Sequence, residues 1–461
     1  MTDFIGRVEE LSFLRDEYGK SAASLVVLYG RRRMGKTSLV SEFGKDKNML
    51  YFLATDESEA INRSRFKDIV AEYTGDEMLK SSVAEDWKVI FDALAEYETK
   101  QKKLIVFDEF QCIGKCNPSF PLIFKKAWEN LKKQNVMAVL CGSVIPLMEA
   151  QTLASGSPLH GHVTAQKKIE QVLFHHYHEF FHEQSRNELI RYYSVTGGIP
   201  RYIEIFRNEP DVAAAIEKHV LSKNGFLYEE PVFLLREEVP DAGNYFSLIR
   251  AIAYGKQKMD VIASATGIKK TSLTKYIRNL VDMDILERQV PVTRGDPARS
   301  KPGIYRIKDH FLEFWFKFVY PNRNLIETGN TRQLVKDILS EFIDRHVAGV
   351  YEDVCRQRLW QFEADGWLPC NFNKVGRWWD DHRKIDIVAL DTDGIDIVFG
   401  ECRYAGDPMD TDVYEKLHEK KNYVRWNMSS RQEFFIFFSV NGYTQQMKDL
   451  AVGKANVFLY E

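Results

Sequence analysis

Four short apolar runs punctuate the first third of the chain: Leu25–Gly30 (LVVLYG), Asn48–Leu53 (NMLYFL), Lys103–Glu109 (KLIVFDE) and Val136–Ser143 (VMAVLCGS). Each is apolar nearly throughout instead of alternating with polar positions, the pattern of strands buried on both faces. The stretches between them carry helical periodicity, and that alternation predicts a parallel α/β sheet over residues 1–165. Residues 166–238 read as mostly helical, broken by a Gly-Gly-Ile-Pro turn at Gly197–Pro200. Residues 239–310 show three short helical patterns, then two strand-like stretches ending in Ile304–Lys308. Residues 311–461 begin with aromatic-rich HFLEFWFKFVYPN and a long helix near 331–365. Strands are expected around 370–376, 384–391 and 395–403, then a helix near 410–427, a strand at Glu433–Val440, a short helix and a last strand.

A chain of 461 residues exceeds one ordinary core, so two to four domains are expected. The net charge of −3 gives no global field toward DNA or membranes. No run of eighteen apolar residues is present, and the start lacks the layout of a secretory signal. With six scattered cysteines, a reducing cytoplasmic setting is the expectation. Cys112 and Cys116 have no second pair at zinc-site spacing. His175, His178 and His182 share a helical face, but Phe174, Tyr177, Phe180 and Phe181 interleave with them, and an aromatic helix with polar ends explains the run as well as a metal does.

The first apolar run leads into Gly30-Arg31-Arg32-Arg33-Met34-Gly35-Lys36-Thr37, followed by Ser38, which satisfies the P-loop pattern G-x-x-x-x-G-K-S/T between a strand and a helix. The glycines let backbone N–H groups wrap a phosphate at a helix N-terminus, where the dipole favours anions. Lys36 is placed to neutralise the β- and γ-phosphates of ATP, and Thr37 to reach Mg²⁺. The run KLIVFDE ends in Asp108, placed for the Mg²⁺ shell, and Glu109, placed to orient or deprotonate attacking water. Ser143 is a candidate γ-phosphate sensor or a simple turn residue. Arg31, Arg32 and Arg33 are phosphate clamps or surface charge.

The loop YGRRRMGKTSL, FDEFQ, CGS, SPL at Ser157–Leu159 and TGGIPRYIE at Thr196–Glu204 resemble the archaeal AAA-type ATPases related to STAND signalling NTPases. EEPVFLLREE, YRIKDHFLEFWFKFVYPNR and GRWWDD…IDIVALD…FGECR are similar to the subgroup ending in a nuclease-like domain of unknown function. The likeness spans essentially the whole chain. It implies a multidomain α/β architecture: a P-loop NTPase sheet, a helical lid, a winged helix-turn-helix and a restriction-endonuclease-like α/β domain. One departure is that the family's Tyr-Gly-Arg-Arg-Thr is here His160-Gly161-His162-Val163-Thr164. Histidine is shorter and only partly charged at neutral pH, so slow turnover is expected, or Arg201 substitutes.

The helix–turn–helix layout turns at Gly267, with Leu273, Ile277 and Leu280 giving the second helix an apolar face. Residues 256–308 hold twelve Lys or Arg against five Asp or Glu, a local charge of +7. Lys269, Lys270, Lys275 and Arg278 surround the expected recognition helix, and Arg294, Arg299 and Lys301 decorate the wing. Such local excess suits DNA phosphates, although a winged helix also serves as a packing module. In the last domain the resemblance puts Asp386 at the start of one strand and Glu401 and Arg403 at the end of the next, with Glu352 on the preceding helix as a further carboxylate. Asp386 and Glu401 are the expected Mg²⁺ ligands. Arg403 stands where the family usually has Lys; it pairs with phosphate but cannot act as a base. The leading expectation is an ATPase coupled to DNA-binding and nuclease-like modules. The alternative is a signalling switch whose inactive tail binds protein partners; a small-molecule kinase lacks any accompanying substrate signature.

Overall fold

The apolar runs become strands β1 (Ser24–Tyr29), β2 (Asn48–Leu53), β3 (Lys103–Asp108) and β4 (Val136–Gly142). A fifth, β5 (Ala165–Lys168), completes a sheet of order β2-β3-β4-β1-β5 in which every pairing is parallel. The computed structural model describes residues 4–83, 86–239, 241–295, 303–329 and 331–461. It falls into two units: Met1–Val172 with Ile199–Arg201, and Leu173–Gly198 with Tyr202–Glu461. In the first unit β3 and β4 are buried along their whole lengths. One face of the sheet carries an aromatic core centred on Phe107, whose ring lies 5.0 Å from Phe66, 5.4 Å from Phe124 and 5.8 Å from Phe52. Because Phe107 immediately precedes Asp108, this packing also fixes where the strand presents its acidic end.

The second unit starts with helices on either side of the Gly197–Pro200 turn, Arg186–Thr196 and Pro200–Phe206, the second reaching it from Tyr202 onward. Helices Ala242–Ala253, Met259–Thr266 and Lys270–Asp282 follow. Gly267, at φ 70°, ends the second of these, and Leu273, Ile277 and Leu280 bury the third. Strands β6 (Leu286–Gln289) and β7 (Ile304–Ile307) pair antiparallel. Arg299 and Lys301 lie outside the described residues.

Helices Thr331–Phe342 and Ala348–Ala364 join through a π-turn at Ile343–Val347. A mixed sheet completes the chain: β8 (Lys374–Trp379), β9 (Lys384–Leu390), β10 (Asp396–Arg403), β11 (Gln432–Ser439) and β12 (Val457–Tyr460), in order β12-β11-β10-β9-β8. β8, β9 and β10 form an antiparallel meander, while β10, β11 and β12 run parallel. Helices Thr411–Lys420 and Gln445–Gly453 supply the crossovers. No helix among the described residues is long and apolar enough to cross a membrane.

The aromatic segment after β7 is a buried hub holding two neutral histidines. Trp315 donates from Nε1 to the Tyr228 carbonyl at 2.8 Å. His346 Nε2 bonds the Ser194 carbonyl at 2.7 Å, and its ring packs on Phe314, Phe318 and Phe342. Burial, with Lys317 nearby, pushes His346 down to about 3, and burial pushes His310 down to about 4. Burial alone would raise Glu313, but Lys317 and its neighbours hold it at about 2.

Two outcomes are expected. Phe107→Ala should cost ~3–5 kcal/mol of stability, read by denaturant unfolding, because it empties the centre of an aromatic core. The buried histidines stabilise the fold above their unfolded pKa of about 6.5, and that stability is lost as pH falls toward their folded values. The urea midpoint should therefore fall between pH 7 and pH 5, and fall less in His346→Leu; equal falls would refute the assignment.

Candidate functional site

The loop between β1 and the helix Lys36–Gly44 is held from several sides. Gly30 cannot be larger, since a Cβ there would lie 2.3 Å from the Ile169 carbonyl oxygen. Gly35 takes a left-handed φ of 81° at the helix start, and a Cβ on it would stand 3.7 Å from Pro200 Cγ. Arg7 donates to the Met34 carbonyl at 2.9 Å and to the Glu170 carbonyl at 2.7 Å, clamping the loop from outside. Lys36 is buried and donates to the Gly30 and Arg31 carbonyls at 2.7 and 2.9 Å. Burial lowers its pKa, against the opposing pull of Glu109 and Asp108. Arg31 is buried beside it, Arg32 and Arg33 are half-buried, Met34 packs inward, and Thr37 and Ser38 are exposed at the helix start.

Asp108, only 1% exposed, is saturated with donors. Thr37 Oγ1 and the Tyr51 hydroxyl each donate to its Oδ2 at 2.7 Å, and the Glu109 N–H donates to Oδ1 at 2.9 Å. Burial and the Asp108 charge raise the Tyr51 pKa, so its hydroxyl stays a donor. The Thr37 hydroxyl and Asp108 carboxylate are a hard-oxygen pair that fits Mg²⁺. Glu109 turns away from the strand at φ 53°, ψ 40°, a conformation uncommon for a residue with a side chain. Ser143 Oγ donates to Glu109 Oε2 at 2.6 Å; Gln111 Nε2 also donates to that oxygen and reaches Ser143 Oγ at 3.3 Å. The strand ends of β3 and β4 thus bring Asp108, Glu109 and Ser143 together beside the loop. Near the substituted segment, His162 Nδ1 lies 3.2 Å from Glu129 Oε1, and His160 Nδ1 contacts the Leu153 carbonyl at 3.0 Å. Arg201 follows Pro200, the residue seated against Gly35.

The tail brings Asp386 and Glu401 within hydrogen-bonding reach on neighbouring strands β9 and β10. Asp386 is 5% exposed; its Oδ2 accepts from the Cys402 N–H at 3.3 Å, and its Oδ1 lies 3.2 Å from Lys384 Nζ without accepting a hydrogen bond. Burial would raise Asp386, but Lys384 and the bonds from Glu401 and Cys402 hold it low. Burial and the Asp386 charge raise the Glu401 pKa, against the opposing pull of Lys420. Lys420 Nζ lies 2.6 Å from Glu401 Oε1. Two adjacent buried carboxylates are hard-oxygen donors of the kind that fit a divalent cation ringed by water.

Glu352 departs from the expected arrangement. Arg377 Nη2 holds it at 2.6 Å, and it shares Lys384 at 3.6 Å. Among the described residues no three His, Cys, Asp or Glu side chains gather closely enough to hold a metal, here or in the histidine-rich segment. Arg403 makes no ion pair among the described residues; the lysines at the carboxylates are Lys384, at the start of β9, and Lys420, from the helix Thr411–Lys420. Arg7, Tyr51, Gln111, Lys384 and Lys420 escape the sequence reading. Only Gln111, within FDEFQ, and Lys384, two residues before Asp386, lie close enough to a motif to be suspected from it.

Residues 4–206 match a family described as an ATPase domain predominantly from Archaea. Residues 315–420 match one described as archaeal and bacterial proteins of unknown function. An uncharacterized protein of Methanocaldococcus jannaschii is 31% identical over 425 residues, covering 91% of this chain and 92% of that protein. An uncharacterized ATP-binding protein of the same organism is 46% identical over 46 residues, 10% of this chain and 78% of that one. Among solved structures, a Walker-type ATPase of Pyrococcus abyssi aligns over 68% of this chain and 96% of its own length, with TM-score 0.54 and 18% identity, a likeness of fold. Parallel sheet, phosphate loop, acidic strand end and full-length relative agree: the chain belongs to the archaeal P-loop ATPase family that carries this second domain of unknown function at its C-terminal side.

Proposed function

We propose that the protein hydrolyses ATP and uses the nucleotide state to control engagement of nucleic acid by its C-terminal half. The observation that carries the ATPase reading is the 2.7 Å bond between Thr37 and Asp108, which joins loop and acidic strand end into one cation-binding unit. In this reading the loop N–H groups and Lys36 take the phosphates, with Arg31, Arg32, Arg33, Met34 and Ser38 shaping the same cradle. Lys36 exchanges its two loop carbonyls for phosphate oxygens. Thr37 and Asp108 hold Mg²⁺, which when bound neutralises charge on the phosphates. Glu109 orients and deprotonates water, and Ser143 and Gln111 fix the carboxylate that does so. Arg201, beside the loop, takes the place of the family's missing arginine.

The winged-helix reading of residues 239–310 draws support from the exposed Lys269, Lys270, Lys275, Arg278 and Arg294. Lys270 and Arg278 also pair with Asp260 and Asp282, at 2.6 and 3.9 Å. The endonuclease-like reading of residues 311–461 draws support from the Asp386–Glu401 pair on adjacent strands. There Asp386 and Glu401 hold Mg²⁺, which supplies Lewis-acid activation of a phosphodiester; Lys420 supplies the positive charge, and Arg403 binds the flanking phosphate. The helical segment 166–238 is the lid. A second reading, a signalling switch with an inactive tail that binds protein, is favoured by one observation: Lys384 and Lys420 already neutralise both carboxylates.

Lys36→Ala should abolish ATP binding, measured with a fluorescent analogue. Glu109→Gln should keep binding and lose ~10²–10⁴-fold in turnover, the usual range for a general base; unaltered turnover would remove Glu109 from the mechanism. Cleavage of labelled linear, branched and single-stranded DNA with Mg²⁺ or Mn²⁺, lost in Asp386→Ala, would establish the nuclease. ATP hydrolysis without cleavage, and without DNA affinity that weakens steeply with salt, would favour the protein-binding switch.

A further inference from the structure

A pocket of about 290 Å³ opens in the second unit, away from Asp386 and Glu401 in sequence and lining. It lies among the segment Phe174–His178, the start of the helix Arg186–Thr196, the helix Ala348–Ala364 and the end of β12. Its volume falls at the lower end of small-molecule sites, ~300–1,000 Å³. The lining includes two arginines, Arg186 and Arg358, and two histidines, His175 and His178, with no carboxylate side chain.

The two guanidinium groups share one ring. Arg186 lies 4.6 Å and Arg358 5.3 Å from the Tyr460 centroid, and Arg358 also lies 4.6 Å from that of Phe362. Arg358 donates from Nη1 to Gln361 at 2.7 Å, yet its Nε is buried with no hydrogen-bond partner. Arg186 contacts the backbone oxygen of Glu461. Of the nearby carboxylates, Glu179 pairs with His176 at 2.5 Å and Glu188 with Arg191 at 2.7 Å. Gln357 braces the wall, accepting from the Phe174 N–H at 3.0 Å and donating to the Tyr193 hydroxyl at 2.9 Å.

Two guanidinium groups on one aromatic ring can be bridged by a single anion, and their planar donors match phosphate oxygens in pairs. Phe174 and Tyr460 add flat apolar surface beside that charge. We propose that this pocket binds a small organic phosphate, a phosphate monoester carrying a ring and no larger than a mononucleotide, with Arg186 and Arg358 on the phosphate. The source is a free nucleotide or the 5′-phosphorylated end of a strand. The site accounts for His175 and His178, which neither the nucleotide loop nor the tail uses, and it does not depend on the function proposed above.

The test uses full-length protein carrying Lys36→Ala, so that the P-loop is silent, and equilibrium dialysis with each of the four labelled nucleoside 5′-monophosphates. Saturable binding that weakens at least tenfold in Arg186→Gln and Arg358→Met is the expected result. Because Arg358 packs on two rings, its variant is read together with Arg186→Gln, at a half-buried helix start, and with the exposed His178→Ala, each checked by thermal melting. No saturable binding of any monophosphate or of a 5′-phosphorylated oligonucleotide, or binding unchanged in a folded Arg186→Gln, overturns the proposal. So does inorganic phosphate competing as well as the organic ligands. Stronger competition by a 5′-phosphorylated than a 5′-hydroxyl oligonucleotide assigns the strand end; competition by mononucleotides alone assigns the free ligand.

Discussion

A carboxylate at the end of a strand buried on both faces is tolerated only where donors surround it. Asp108 meets that condition with Thr37, Tyr51 and the backbone of Glu109. Those donors come from three different segments, so satisfying one charge also sets the helix after the loop, the neighbouring strand and the turn after β3 in register. The aromatic core beneath β3 makes the carboxylate's position rigid. The loop itself is then limited to conformations in which Lys36 and Thr37 face the same acidic end.

The parallel sheet of the first unit was legible because strands covered on both faces must be apolar along their length, and Leu25–Gly30, Asn48–Leu53, Lys103–Glu109 and Val136–Ser143 match β1 to β4 within a residue or two at each end. β5 was not, since AQKK has no apolar run and exists as a strand only through its pairing with β1. The first strand of the tail was expected at 370–376 and forms at Lys374–Trp379. Asn371 lies before it because its N–H donates to the Asp396 side chain at 3.0 Å, and the ladder to β9 opens only with the Asn373 N–H on the Leu390 carbonyl, also at 3.0 Å.

Among site residues, what local spacing specifies was readable and what distance in sequence specifies was not. Gly30 to Thr37 and Asp108 to Glu109 are neighbours in the chain, and a backbone motif places them. Tyr51 and Arg7 meet these groups only because the sheet order brings β2 beside β3 and the fold brings the segment before the first helix against the loop; Ser143 was readable because it closes an apolar run of its own. Lys420 is a sharper case. The strand reading looked to Arg403 for the cation, whereas the parallel crossover through the helix Thr411–Lys420 delivers a lysine from nineteen residues downstream of Glu401.

β5 also bears on how the protein behaves in a crowded solution. It is an edge strand of only four residues, the kind of edge that an extended chain can pair with. Lys167 and Lys168 sit on that edge, both partly exposed. An incoming strand would have to desolvate or displace two ammonium groups to extend the sheet, and a four-residue ladder returns little for doing so. The polar composition that hid this strand from hydrophobic pattern reading is therefore the same property that makes this edge a poor template for strand addition.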